Sequence, residues 1–153
     1  MQTEPKSLLI LGMAGGLARI TSGLLLKRFP NIKSVGVDSR PMVREYPENR
    51  VTYLRMKYTR GNFEKIFRDY SFDSMLHLGR LSHSQAGPSL NLAQRLDLNL
   101  MGTKRILDLC LKYELKKVVV LSTFHVYGAL KDNPTFISCL LYTSDAADDS
   151  LRV

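Results

Sequence analysis

Three small residues near the start of the chain are spaced so that backbone N–H groups can bind an anion. Gly12, Gly15 and Ala18 form the pattern G-x-x-G-x-x-A between an apolar run and a helical pattern. The first glycine permits a tight turn, the second lets the backbone approach phosphate, and the small third residue lets a helix and a strand pack closely. Gly16 and Leu17 open the helix, where free N–H groups and the helix dipole favour a pyrophosphate.

A carboxylate stands at the end of the next apolar run. Asp38 is placed to accept hydrogen bonds from both hydroxyls of a ribose, which favours NAD as the cofactor. Ser39 and Arg40 follow it, and Arg40 could instead bind the 2′-phosphate of NADP, so NADP is the alternative cofactor. Taken separately, the glycines fit any tight turn and Asp38 fits any loop, but in this register they indicate a dinucleotide site.

Apolar runs alternate with helical patterns along the chain, which is typical of a parallel sheet with helices on both faces. Strands are expected at 7–11, 33–37, 50–56, 73–78 and 116–121, and helices at 15–28, 62–68 (capped by Asn62) and 89–114. An apolar stripe supports the long helix: Leu92, Leu96, Leu100, Leu107 and Leu111. The predicted fold class is α/β, a doubly wound, Rossmann-like parallel sheet truncated after the fifth strand.

Composition excludes several classes of protein. The 153 residues are 44% hydrophobic and 24% charged, so they fit one globular domain rather than a disordered, collagenous or disulfide-stapled chain. The net charge of +8 is scattered and mixed with acids, which ranks nucleic-acid binding last among the hypotheses. No apolar run near the start suits a signal segment or a membrane span, and the two cysteines lack metal spacing. We expect a cytoplasmic protein without a metal site.

Four segments, in order, resemble the extended short-chain dehydrogenase/reductases, the NAD-dependent epimerase/dehydratases of nucleotide sugars. After the glycine turn, M-L-H-L-G is similar to the family's V-x-H-x-A, which implies that the backbone of Leu78 and Gly79 lines the cofactor. Asn99 begins an N-x-x-G-T, in which the asparagine braces the active site, and we assign it to the cofactor-binding set. S-T-F-H-V-Y-G resembles S-[ST]-x-x-V-Y-G, which makes Thr123 the catalytic hydroxyl.

The resemblance implies an oxidoreductase in which that hydroxyl acts with a Tyr and a Lys, spaced Y-x-x-x-K, on a nucleotide-sugar substrate. Tyr127 begins such a spacing but coincides with the family's V-Y-G, whose tyrosine is not the catalytic one. Lys57 stands where the family usually has an acid that holds the adenine amino group. We therefore expect the cofactor-binding part of an NAD-dependent nucleotide-sugar epimerase/dehydratase, inactive by itself. The alternative is a non-enzymatic NAD(P)-binding sensor or regulatory module.

The end of the chain carries a separate resemblance. Residues 139–153 begin C-L-L-Y-T-S-D-A-A-D-D, which is similar to a transposon-type sequencing adapter translated in one frame. We therefore expect an incomplete NAD(P)-binding Rossmann-like domain at 1–138 and a non-native tail at 139–153. On this interpretation the family's Tyr/Lys helix is missing. Since that helix joins the four-helix bundle through which family members often form homodimers, a homodimer is expected of a complete member only.

Overall fold

The structure, a computed structural model, describes residues 4–42, 46–47, 49–79 and 92–122. The strands of this part form one parallel sheet: β1 (Ser7–Leu11), β2 (Lys33–Asp38), β3 (Val51–Arg55), β4 (Ser74–His77) and β5 (Lys117–Val120). Their order is β3-β2-β1-β4-β5, so the chain builds outward from β1 in one direction and then returns to build in the other. The strand order therefore reverses between β1 and β4, as in a doubly wound sheet.

Helices connect the strands. They are α1 (Gly16–Arg28), α2 (Arg60–Asp69), and a long segment in which α3 (Leu92–Leu96), a π-helical turn (Asp97–Met101) and α4 (Gly102–Lys112) follow one another. These elements all lie in one unit, Met1–Val120. In the described part of the chain, no helix has both the length and the apolar character needed to cross a membrane.

The helices lie on the two faces of the sheet. Alternate residues of β1 point to opposite faces, so Leu9 and Leu11 belong to one apolar cluster and Leu8 and Ile10 to the other. The first cluster is covered by α2 and α4 through the following buried side chains: Phe63, Ile66, Phe67, Ile106, Leu109 and Cys110. The second cluster is covered by α1 through Ala18.

Most elements begin or end within one or two residues of the predicted positions, and β2 and α2 are two examples. Strand β2 runs one residue beyond the predicted 33–37, and Asp38 is its last residue, at the end of the strand as expected. Helix α2 begins at Arg60 and not after Asn62, because the cap is Thr59, whose hydroxyl accepts a hydrogen bond from the Asn62 N–H at 3.3 Å. The prediction of Asn62 as the cap was wrong because Thr59, three residues earlier, supplies an equally suitable oxygen.

The long helix buries a different stripe from the one that the leucines form. Leu96, Leu100 and Leu111 are exposed and Leu107 is partly buried against the core, whereas α4 buries Ile106, Leu109 and Cys110. Both sets repeat at helical spacing, and periodicity alone does not say which set faces the sheet. The π-helical turn also inserts an extra residue per turn, which changes the phase between α3 and α4.

Candidate functional site

A cleft of about 1100 Å³ opens at the carboxyl ends of β1, β2 and β4, where the strand order reverses. Ligands of open α/β sheets bind at such a point. The cleft is lined by nine of the residues predicted from the sequence: Gly12, Gly15, Gly16, Asp38, Ser39, Arg40, Leu78, Gly79 and Asn99. Leu17 adjoins this lining through the backbone, while its side chain is exposed. Thr123, the predicted catalytic hydroxyl, lies outside the described residues.

The turn after β1 passes directly against the end of β4. Gly12 has φ +83°, and a Cβ there would lie 2.6 Å from the Cα of Gly79. The Gly12 N–H donates to the Val37 carbonyl at 2.9 Å, and the Gly15 N–H donates to the Gly12 carbonyl at 2.9 Å. Both the positive φ and the close approach exclude a side chain at Gly12, so this glycine lets the turn close over the sheet edge.

Helix α1 begins in the wall of the cleft with unused donors. Gly15 caps the helix without a side-chain hydrogen bond, and the first turn contains no acid. The Arg19 N–H donates to the Gly15 carbonyl, but no described residue accepts from the N–H groups of Gly16, Leu17 and Ala18. Free N–H groups and the positive end of the helix dipole make this position suitable for an anion.

Asp38 is the buried carboxylate of the cleft, with 6% of its side chain exposed. Its Oδ1 accepts from the backbone N–H of Arg40 at 3.0 Å, and its Oδ2 accepts from the Ala14 N–H at 3.1 Å. The Arg40 guanidinium donates to both oxygens, from Nε at 3.0 Å and from Nη2 at 2.9 Å. Burial works to raise the pKa of Asp38, but these donors outweigh burial and hold the pKa below its usual value. Asp38 is therefore ionised at neutral pH.

Tyr58 closes the cleft beneath Gly79, a role that the sequence did not reveal. Its hydroxyl donates to the Val37 carbonyl at 3.1 Å, and its ring packs edge-on against Phe63 with ring centroids 5.3 Å apart. A Cβ on Gly79 would lie 2.8 Å from the Tyr58 hydroxyl oxygen, so a side chain at position 79 would require the Tyr58 ring to shift. Burial raises the pKa of the Tyr58 phenol, which keeps it a neutral donor. The sequence did contain one indication of this role: Tyr58 follows β3 closely and so lies at the carboxyl edge of the sheet, where the cleft opens.

The cleft lining also includes three polar side chains from different segments of the chain: Lys57, His77 and Asn99. Lys57 lines the cleft and is exposed, so a cation occupies the position for which the family resemblance implies an acid. His77, the last residue of β4, is buried, its Nδ1 has no hydrogen-bond partner among the described residues, and burial lowers its pKa. Asn99 lies in the π-helical turn, where its carbonyl accepts from the Thr103 hydroxyl at 2.6 Å. In residues 4–42, 46–47, 49–79 and 92–122, no cluster of three His, Cys, Asp or Glu could hold a metal ion.

Two further Y-x-x-x-K spacings occur in the described residues, and neither resembles a catalytic pair. The first runs from Tyr53 to Lys57, which lie on and just after β3. The second runs from Tyr113, which caps the end of α4, to Lys117, the first residue of β5. Side chains four residues apart are neighbours when both residues lie on the same helix, whereas in extended chain they are about 13 Å apart. Neither spacing therefore replaces the pair that the family carries after its fifth strand.

Comparisons with known proteins match the chain over most of its length. A family described as the NAD dependent epimerase/dehydratase family matches residues 8–146. A curated relative, dTDP-D-glucose 4,6-dehydratase from Dictyostelium discoideum, is 28% identical over 84% of this chain and 32% of the relative. The chain thus spans about a third of that protein's length.

Solved structures share the fold. The Bordetella bronchiseptica enzyme WbmH, in complex with NAD+, superimposes with a TM-score of 0.68 at 20% identity, over 83% of this chain and 42% of that one. The Thermotoga maritima UDP-glucose 4-epimerase, with UDP-glucose, gives a TM-score of 0.66 at 22% identity, over 84% of this chain and 42% of that one. At these identities the similarity establishes the arrangement of strands and helices.

Proposed function

This chain belongs to the NAD-dependent epimerase/dehydratase family, and we propose that its described residues bind the adenosine and pyrophosphate parts of NAD. One observation carries the proposal: the buried carboxylate of Asp38 and the uncapped start of α1 line the same cleft. A ribose needs hydrogen-bond acceptors and a pyrophosphate needs donors, and these two groups supply both.

The residues present fit this ligand in three respects. The N–H groups of Gly16 and Leu17 would donate to the pyrophosphate, and the glycine at position 12 keeps the turn clear of side chains. Asp38 would accept from the ribose hydroxyls, and the backbone of Leu78 and Gly79 would contact the adenine half. Bound NAD would supply hydride transfer, while this chain would hold and orient it.

For the whole protein we propose an oxidoreductase that acts on a nucleotide-linked sugar as an epimerase or dehydratase. The family supports this, as do the names of the dehydratase and the epimerase to which the chain is similar. Within that reaction Thr123 would supply the hydroxyl that contacts the substrate. The chain itself should bind NAD without turnover, since no Y-x-x-x-K spacing stands at the family's catalytic position.

Calorimetry of the purified chain with NAD+ and with ADP-ribose tests the binding proposal. We expect saturable binding of both ligands, because the proposed contacts are to the ADP-ribose part. A chain that is folded by circular dichroism but binds neither would overturn the proposal. Incubation with NAD+ and UDP-glucose, followed by chromatography of the sugar nucleotide, tests the absence of turnover, and a converted sugar would contradict it.

A further inference from the structure

A second cavity lies at the amino edge of the sheet, the edge where the parallel strands begin, opposite the cleft described above. Its volume is about 310 Å³, at the lower end of the range for small-molecule sites. The end of α2, the segment before β4 and the residue after α4 form its walls. Four of the lining side chains are aromatic and define what we call the aromatic cavity: Phe67, Tyr70, Phe72 and Tyr113. Such walls suit a flat ring.

The four rings pack against one another, and the two tyrosines remain accessible to solvent. Tyr70 stacks on Phe72 with ring centroids 6.2 Å apart and planes inclined by 22°. The centroid of Phe67 lies 5.7 Å from that of Phe72 and 5.4 Å from that of Tyr113. Tyr113 is 39% exposed, so a ligand can reach its ring from outside. Rings that are held by their neighbours and remain accessible can serve as platforms on which nucleic-acid bases stack.

Three lysines border this cavity along the strand ends. The Lys116 N–H donates to the Asp73 carbonyl at 2.8 Å, and Asp73 directly follows Phe72 of the cavity. The Lys6 N–H donates to the Asp73 carboxylate at 2.7 Å, and the Lys33 N–H donates to the Lys6 carbonyl at 2.9 Å. Neighbouring strands lie about 5 Å apart, so Lys33, Lys6 and Lys116 form a row across the ends of β2, β1, β4 and β5. These three residues are the lysine row.

The fold brings further cations to the same edge. Helix α1 returns from the end of β1 to the start of β2, so its last turn, with Lys27 and Arg28, also lies there. Lys117 is the first residue of β5. Along the sequence these cations are scattered from position 6 to position 117, and for that reason the sequence alone ranks nucleic-acid binding last. In the fold, six exposed cations share one edge: Lys6, Lys27, Arg28, Lys33, Lys116 and Lys117.

The carboxylates of this edge do not neutralise the six cations. Asp73 accepts through Oδ2 from the N–H groups of Lys6 and Ser7, so this oxygen faces the chain. Asp69 Oδ1 lies 3.9 Å from Arg68 Nε. No ion pair between described residues involves any of the six cations. Two exposed carboxylates of the described residues remain nearby: Glu4 and Glu114. The amino edge therefore has an excess of positive charge, which attracts a polyanion.

We propose that the amino edge of the sheet binds single-stranded nucleic acid, with one base in the aromatic cavity and the neighbouring phosphates on the lysine row. Stacking and phosphate contacts together are what sequence-tolerant binding of single strands requires. A duplex fits less well, because its bases are stacked inside the helix and do not reach a cavity. The site is separate from the cleft and does not depend on the proposed function.

Fluorescence anisotropy of the wild-type chain with a labelled oligouridylate of about 12 nucleotides tests the proposal. We expect saturable binding that weakens as salt rises, because counterions are released from the phosphates. Tyr113→Ala should weaken binding about tenfold or more, the scale of one lost base–aromatic stack. Tyr113→Phe keeps the ring and should bind as the wild type does. Equal affinities of the two variants would overturn the proposal.

The contribution of the lysine row is measured by the salt dependence. Lys116→Gln should make the slope of log affinity against log salt shallower by about 0.7, the value for one phosphate contact on a single strand. Lys104→Gln is the matched control, since it removes the same charge from the beginning of α4, away from this edge. The same slope in Lys116→Gln and Lys104→Gln would contradict the proposed phosphate contacts.

Two further readouts use only the wild-type chain. Ultraviolet crosslinking to an oligonucleotide that contains 4-thiouridine should modify peptides with Tyr70 or Tyr113, and crosslinks confined to the cleft residues would overturn the proposal. Saturating ADP-ribose should leave oligonucleotide binding unchanged, whereas displacement would place the nucleic acid in the cleft. Failure of ADP-ribose to bind would count against the proposed function alone. No binding of the oligonucleotide at low salt, or tighter binding to phosphatidylserine vesicles, would refute a nucleic-acid site.

Discussion

Two buried titratable side chains line the cleft: Asp38, which is ionised, and His77, which is neutral. Asp38 is ionised because two backbone N–H groups and a guanidinium stabilise its charge, although burial opposes it. The pKa of His77 is lowered because burial disfavours its charged form, and no residue in the described ranges bonds to its Nδ1, so His77 is neutral at pH 7. We therefore expect different contributions from the two groups: Asp38 to the proposed ligand binding and His77 to the dependence of stability on pH.

The substitution Asp38→Asn should weaken NAD+ binding by about tenfold to a hundredfold, the range for a lost hydrogen bond to a charged group. The reason is that an amide offers one acceptor oxygen where the carboxylate offers two. Calorimetry with NAD+ measures the effect, and Asp69→Asn, on the exposed end of α2, is the matched control. Equal affinities for Asp38→Asn and the wild-type chain would place the ribose elsewhere.

His77 should make the protein less stable as the pH falls from about 7 to about 5, because only the unfolded chain binds the extra proton near the usual histidine pKa. Its native pKa is lowered, so the stabilisation is complete above that usual pKa and is lost below it. For one group the loss cannot exceed about 1.4 kcal/mol per pH unit. Urea unfolding at these pH values measures it in the wild-type chain and in His77→Asn, where this component should be absent. Parallel pH curves for the two proteins would show that His77 does not titrate on unfolding.

At the scale of elements, the site depends on three chain segments meeting at the sheet edge. The turn between β1 and α1 crosses the end of β4, and Tyr58 from the β3–α2 connection lies beneath the same point. Glycine at positions 12 and 79 allows these approaches, since a Cβ at either position would come within 3.0 Å of a neighbouring atom. We therefore expect an alanine at either position to disturb the packing of the cleft wall.

The substitution Gly12→Ala should lower the free energy of unfolding by about 2 kcal/mol or more, since it adds both a strained φ and a clash with Gly79. Gly61→Ala is the matched control. Gly61 lies in α2 with no atom within 4 Å of its Cβ position, so alanine there should raise stability by up to about 1 kcal/mol. Chemical denaturation of both variants measures the difference. Equal stabilities of the two variants would mean that the turn relaxes without cost.

For the molecule as a whole, the two faces of the sheet are covered to different extents in the described residues. Helices α2 and α4 bury one face, whereas α1 lies on the other with Leu17, Ile20 and Leu24 exposed. Apolar residues on α1 thus contribute less to stability than equivalent residues on α2. The tail at 139–153 and the cytoplasmic location stay predictions from the sequence.

One substitution made on both helices measures this asymmetry. Ile66 on α2 is 2% exposed and Ile20 on α1 is 64% exposed. Ile66→Gln should therefore cost about 3 kcal/mol or more, through lost packing and a buried amide, while Ile20→Gln should stay within about 0.5 kcal/mol. Denaturant unfolding of the two variants tests this. A large loss of stability for Ile20→Gln would show that the exposed apolar residues of α1 are covered in solution.

The sequence by itself determined the order of strands and helices, the glycine turn, and the carboxylate at the end of β2. These features depend on local periodicity and on residue types within a few positions of one another, and both can be determined from the sequence alone. The tertiary structure decided that Arg40 fills the acceptor sites of Asp38, that Tyr58 reaches the Val37 carbonyl, and which stripe of the long helix is buried. Each of these depends on which donor meets which acceptor once the side chains pack, and on which of two similar apolar faces buries more surface. Only the folded chain settles such contacts, because they are a competition among partners whose distances the sequence does not specify.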